Sequence, residues 1–278
     1  MRRDGFMTMR ALTAAAMVAI VPATASAVPL AAHQAVYDLK LASQDAGIVG
    51  AEGRIAMSIK PKACDAWDLD YRFVARFQQA EEMTLTDQQT TSTESRNGSA
   101  FTFTTKTFVD GSPEKEVRGE AHHDASGTKV AMQSPEKKSF TLPLSRFPMQ
   151  HTADLIQRAE AGERVFETKL FDGDDDAEKL LTSTAVITPI EAEAKDGRPI
   201  VRTALAPEIG AKLADMKSWR ISESYYNSDS DDDGMPVFQT KYVLYENGVS
   251  DDLTLDFGTY AFTGSLKKLD ILDAPACQ

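Results

Sequence analysis

Trp67-Asp68-Leu69-Asp70-Tyr71-Arg72-Phe73-Val74-Ala75-Arg76-Phe77-Gln78 decides the fold class. Trp67, Leu69, Tyr71, Phe73, Ala75 and Phe77 fall on one parity. Asp68, Asp70, Arg72, Arg76 and Gln78 fall on the other. Successive side chains leave a strand on opposite faces, so this period of two predicts a strand with one dry and one wet face. A sheet solvated on one side is antiparallel, because parallel sheets are covered on both faces.

The same pattern spreads outward. In His33–Ser43 the apolar parity is Ala35, Tyr37, Leu39 and Leu41; in Arg54–Lys60 it is Ile55, Met57 and Ile59. Further candidate strands are Met83–Thr93, Ser99–Val109, Val117–His123, Thr128–Gln133, Arg164–Phe171, Thr182–Thr188, Ile200–Leu205, Trp219–Tyr226, Val237–Tyr245, Asp252–Phe257 and Thr259–Leu272. Turn pairs such as Asn97-Gly98, Asp110-Gly111, Ser126-Gly127, Asp172-Gly173, Asp196-Gly197, Asp233-Gly234 and Asn247-Gly248 separate them and supply the positive φ of tight hairpins. Many short strands with hairpin turns predict an all-β sandwich, barrel or related rolled sheet. One helix is expected over Thr152–Ala161, with Pro148 before it, Asp154 in its first turn and Gly162 behind it; a weaker one is Glu208–Met216. Leu142–Met149, with its two prolines, reads as a crossover between two halves of one structure.

The leader stands apart. Arg2, Arg3 and Arg10 precede an apolar run, Ala11–Val21, too short to span a bilayer, and Ala25-Ser26-Ala27 is a small-residue cleavage site. Residues 1–27 are therefore expected to be a removed signal peptide, and 28–278 a single periplasmic all-β domain that is not membrane-anchored. The leader carries three arginines and one aspartate, so its removal takes the net charge from −12 to −14. Such acidity excludes nucleic acid as a partner.

The chain has two cysteines, Cys64 and the penultimate Cys277. In an exported protein that count points to one disulfide, with two free thiols or one reactive nucleophile as the alternatives. No histidine stands near Cys277 in sequence, and a bond to Cys64 would enclose nearly the whole mature chain.

Motifs for chemistry are sparse. Asp229-Ser230-Asp231-Asp232-Asp233-Gly234 copies the first half of a calcium loop, but position twelve is Thr240, where a glutamate is needed. An acidic hairpin tip is the plainer account, as it is for Asp172–Asp176. His122 and His123 are adjacent on a strand and must point to opposite faces. His33 and His151 complete the histidines, and no His/Cys/Asp spacing matches a zinc site. There is no G-x-S-x-G elbow and no Gly-rich phosphate loop. The sequence thus nominates no catalytic residue, no metal ligand and no cofactor, and the protein is expected not to be an enzyme. The Thr- and Ser-rich stretch Thr90–Thr107 reads as sheet surface. Binding in an apolar cup is the expected activity, with Trp67, Tyr71, Phe73 and Phe101 as candidate lining; a structural scaffold and a hydrolase are the alternatives.

The order of landmarks resembles the EipB-type periplasmic family. They are Tyr37, Cys64-Asp65-x-Trp67, Ser92-Thr93-Glu94 with Asn97-Gly98, Phe101-x-Phe103, Phe147-Pro148 with His151, Phe171-Asp172-Gly173, Trp219, Tyr245-Glu246-Asn247-Gly248 and Cys277. The resemblance implies a spiral or incompletely closed antiparallel barrel, a first-to-last disulfide, and a role in cell-envelope integrity and envelope stress resistance. It also implies a distant likeness to periplasmic lipoprotein carriers. The implied partners are a lipid, a lipoprotein or a periplasmic protein, a tetratricopeptide-repeat protein among them.

Overall fold

The computed structural model describes residues 30–44, 47–173, 180–190, 205–227 and 234–273. The leader, the Ile200–Leu205 strand up to residue 204, the Asp229–Asp233 tip and Cys277 lie outside the described residues.

The chain meanders outward through β1 (His33–Gln44), β2 (Ile48–Lys62), β3 (Ala66–Gln79), β4 (Met83–Ser95), β5 (Ala100–Val109), β6 (Ser112–Asp124), β7 (Gly127–Ser134) and β8 (Lys138–Leu142). Helix α1 (Pro148–Glu160) then crosses to β9 (Val165–Leu170) and β10 (Leu181–Ile190). Helix α2 (Pro207–Leu213) leads into β11 (Ser218–Tyr226), β12 (Phe238–Tyr245), β13 (Ser250–Asp256) and β14 (Tyr260–Ile271), which pairs with β1. All fourteen strands form one antiparallel sheet, ordered β8-β7-β6-β5-β4-β3-β2-β1-β14-β13-β12-β11-β10-β9. The sheet curls without closing. Its ends are β8 and β9; among the described residues no β8–β9 ladder joins them, and the segment after β8 meets β9 in one isolated parallel bridge, Arg146 with Leu170.

The fold class is the one that alternation predicts, with longer elements. β2 begins at Ile48, not Arg54, because pairing with the long β3 carries it through Gly50 and Gly53, which add nothing to an apolar count. Gly53 permits close approach: a Cβ there would stand 2.6 Å from the Val74 carbonyl oxygen. β8 is a strand that its five mostly polar residues hide. Helix α1 starts at Pro148, four residues before the expected start. Asp154 therefore lies outside its first turn and pairs with Arg146 at 2.8 Å.

The inner face carries the core. Ala35, Tyr37, Leu39 and Ile55 join Phe262, Leu266 and Leu269 in one cluster. Phe101, Phe103, Phe147 and Phe171 form a second with ring centroids 5.2–6.4 Å apart. In a third, Leu155, Ile156 and Ala159 of α1 pack on Phe166, Ile187, Trp219, Ile221 and Leu244 from β9 to β12. The helix thus lies on the inner face of the roll, its apolar stripe meeting the sheet's dry side.

Gly173 makes a sharp test of this packing. Its φ is +77°, and a Cβ would stand 2.5 Å from the Phe103 ring. Gly173→Ala is expected to lower stability by about 2 kcal/mol, from the left-handed backbone and the displaced ring together. A urea-denaturation midpoint matching the wild type would contradict that packing.

Candidate functional site

The inner face holds a cavity of about 300 Å³. Its walls are Ile55, Met57 and Ile59 of β2, Leu69 and Tyr71 of β3, Tyr242 and Leu244 of β12, and Leu253 and Leu255 of β13. Pro148, Met149 and Thr152 of α1 close one side. These strands supply the walls because each puts its apolar parity inward. No Lys, Arg, Asp or Glu is among the described residues that line the cavity. Its polar side chains are those of His33, Tyr37, Tyr71, Thr152, Tyr242, Asn247 and Ser250, and Tyr37 Oη donates to the Ser250 carbonyl oxygen at 2.8 Å.

Two buried carboxylates fix the helix beside it. Glu94 on β4 is 2% exposed and accepts the backbone N–H groups of Met149 and Gln150, each at 2.8 Å. A distant strand therefore supplies the negative charge that a helix N-terminus attracts. Burial raises the Glu94 pKa to about 7 against those two hydrogen bonds. Gly98, with φ +66°, lies where a Cβ would collide with the Gln150 side chain, so the Asn97-Gly98 turn also seats the helix.

The second carboxylate is Glu223 on β11, 1% exposed. Its Oε1 accepts from His151 Nε2 at 2.8 Å and Ser183 Oγ at 2.6 Å; its Oε2 accepts from Tyr242 Oη at 2.6 Å and Tyr225 Oη at 3.1 Å. Burial pushes the Glu223 carboxyl up, but the bond and charge of His151, with the Ser183 and Tyr242 hydroxyls, outweigh it and leave the pKa lowered. Burial and the neighbouring carboxylate raise both tyrosines well above their ordinary value. Ser183 donates to Glu223 and not to His151, so the cluster lacks the nucleophile-to-base hydrogen bond of acyl-transfer sites.

The outer face differs in kind. Its arginines are paired: Arg54 with Asp38 at 2.9 Å, Arg72 with Asp87 at 2.8 Å, and Arg76 with Glu52. The hydrogen bond from Arg72 holds the Asp87 carboxyl below its ordinary value. Such exposed pairs contribute little and offer no unmatched charge to a ligand.

The four residues expected to line a cup separate. Tyr71 lines the cavity. Trp67 packs with Ile59 and Met149 under the Arg96 guanidinium, 4.2 Å from its ring. Phe73 meets Phe262 edge-on at 6.2 Å, within the first cluster. Phe101 belongs to the second cluster. Trp67 and Phe101 are the cross-strand neighbours of Glu94, so they flank the carboxylate that caps α1. Cys64 lies in the exposed β2–β3 turn. His151 sits within α1, not before it, and His123 donates its Nε2–H to the Ser145 carbonyl oxygen at 2.8 Å while stacking on Phe147. No group of three or more His, Cys, Asp or Glu among the described residues could hold a metal ion.

Glu223 was legible as a signal: it shares the parity of Trp219 and Ile221, a carboxylate in phase with a dry face. Glu94 was hidden in a stretch of threonine and serine, where parity carries no contrast.

Comparison with known proteins follows the same architecture. The EipB-like family model matches residues 24–273. Cell envelope integrity protein EipB of Brucella abortus (strain 2308) is 36% identical over 252 residues, covering 90% of this chain and 87% of that protein. A crystal structure of a β-barrel-like protein of domain of unknown function DUF1849 from Brucella abortus superposes with a TM-score of 0.80 at 34% identity, covering 89% of this chain and 100% of the other.

Proposed function

Because this chain belongs to the EipB-like family, we propose that it supports cell-envelope integrity from the periplasm by holding an apolar ligand inside the curled sheet. The observation that carries this reading is the uncharged cavity behind α1. Concave, mostly apolar pockets with a few polar groups are the usual form of small-molecule sites. The ligand is a lipid tail or the acyl part of a lipoprotein, and the activity is binding, not catalysis; the Ser183–Glu223 hydrogen bond, which leaves Ser183 without a base to activate it, supports binding over acyl transfer. The leader at residues 1–27 supports the periplasm, and no helix among the described residues is long and apolar enough to cross a membrane. A protein partner, a tetratricopeptide-repeat protein included, fits the β8 edge, since an unpaired strand edge accepts another strand.

Native mass spectrometry of protein taken from its own periplasm is expected to show a co-purifying lipid. Leu253→Trp, which fills the cavity, should abolish it at unchanged protein level and lower envelope stress resistance. Empty wild-type protein, with full complementation by the filled variant, would defeat the reading.

A Cys64–Cys277 disulfide belongs to the same proposal. Cys64 carries no free thiol. Ile271, near the described end, pairs with His33, and His33 with Ile59, just before the turn that bears Cys64. Six further residues reach roughly 20 Å when extended, enough to cross two strand spacings of roughly 5 Å and the remainder of β2. Cys277→Ser is expected to cost about 2–4 kcal/mol. Two alkylatable thiols in the native protein would refute the bond.

A further inference from the structure

His33 opens β1 at the cavity wall and is 1% exposed. Its Nδ1 lies 2.8 Å from the Ala31 carbonyl oxygen, which can only accept, so Nδ1 carries the proton. In the neutral ring Nε2 is then a lone pair, and it has no partner among the described residues. Burial lowers the His33 pKa against the Ala31 bond, which keeps the ring neutral at pH 7. Asn247 stands at the same end, because the Ala31 N–H donates to its carbonyl at 2.8 Å. The Asn247 side-chain oxygen accepts the Val249 N–H at 3.1 Å, and Asn247 lines the cavity with His33. The cavity is thus a mostly apolar space with the neutral His33 imidazole in its wall, and no cation stands among its described lining residues to meet an acid.

We infer that the cavity selects an aliphatic chain ending in an uncharged hydrogen-bond donor, a hydroxyl or an amide N–H, in preference to a fatty-acid carboxylate. The inference rests on reading the cavity as a ligand site and adds the headgroup chemistry. A donor would satisfy Nε2. An ether or ester would leave it unpaired, and a carboxylate would bring an unmatched charge into an apolar space.

The test uses three single-chain probes against the full-length mature protein at pH 7.5: undecanol, its isomer decyl methyl ether, and undecanoate. Undecanol is expected to bind roughly five- to tenfold more tightly than the ether, the worth of one hydrogen bond, and more than tenfold more tightly than undecanoate. His33→Leu should erase the gap between the isomers while the ether still binds, and His33→Gln, which restores an acceptor, should recover part of it. Because the isomer comparison is made on wild-type protein, the result stands even where a variant fails to fold. Equal binding of the two isomers, or tighter binding of undecanoate, overturns the headgroup assignment and leaves the cavity reading intact. Binding of none of the three overturns both.

Discussion

Glu223→Ala is expected to lower the unfolding free energy by about 4 kcal/mol, one of the two largest effects a single side chain can produce here. The carboxylate accepts four hydrogen bonds, from His151, Ser183, Tyr225 and Tyr242, in a site with almost no solvent contact. Removing it strands four buried donors, each costing roughly 1–3 kcal/mol if nothing replaces the partner. Water entering the vacated space recovers part of that, which places the net near the 3–5 kcal/mol typical of a broken buried charge pair. Glu223→Gln keeps the shape and one acceptor oxygen, so about half the loss is expected. Urea denaturation followed by far-UV circular dichroism measures both. An alanine variant within 1 kcal/mol of wild type would mean that the cluster does not hold α1 to the sheet.

The second large effect is a pH dependence carried by Glu94. Its pKa is about 7 in the folded protein against an ordinary value of 4.5. The folded state therefore binds the proton more tightly than the unfolded chain. The stability this group contributes is complete below pH 4.5 and is lost as pH rises through 7. The shift corresponds to about 3 kcal/mol between those limits. Glu94→Gln has no proton to exchange. Subtracting its stability profile from the wild type's isolates the term from the carboxylates whose pKa is lowered, such as Asp87 and Glu223, which bias stability the opposite way with pH. A difference profile flat between pH 4.5 and 7.5 would show that the two helix N–H bonds hold Glu94 ionised throughout.

The sequence by itself determined the all-β class, because period-two alternation is a local property: each strand's dry face is written in its own residues, as Trp67–Gln78 shows. Asn-Gly and Asp-Gly marked the hairpins for the same reason, positive φ being a single-residue demand. Helix α1 was visible as a stripe, although its start was not. Capping is normally read from the preceding residues, and here the cap is Glu94, some fifty residues upstream on another strand. The site was less legible. Trp67, Tyr71, Phe73 and Phe101 share the inward parity, yet only the curl of the sheet decides which inward residue faces a space and which faces another side chain. Tyr71 meets the cavity, whereas Trp67 and Phe101 flank the glutamate that holds α1. The fold also brought together His151, Ser183, Glu223 and Tyr242, and turned His33 toward an apolar space, by pairing elements far apart in the chain. No local pattern encodes those distances, because they follow from how the strands of one curled sheet accumulate twist around the helices packed on its inner face.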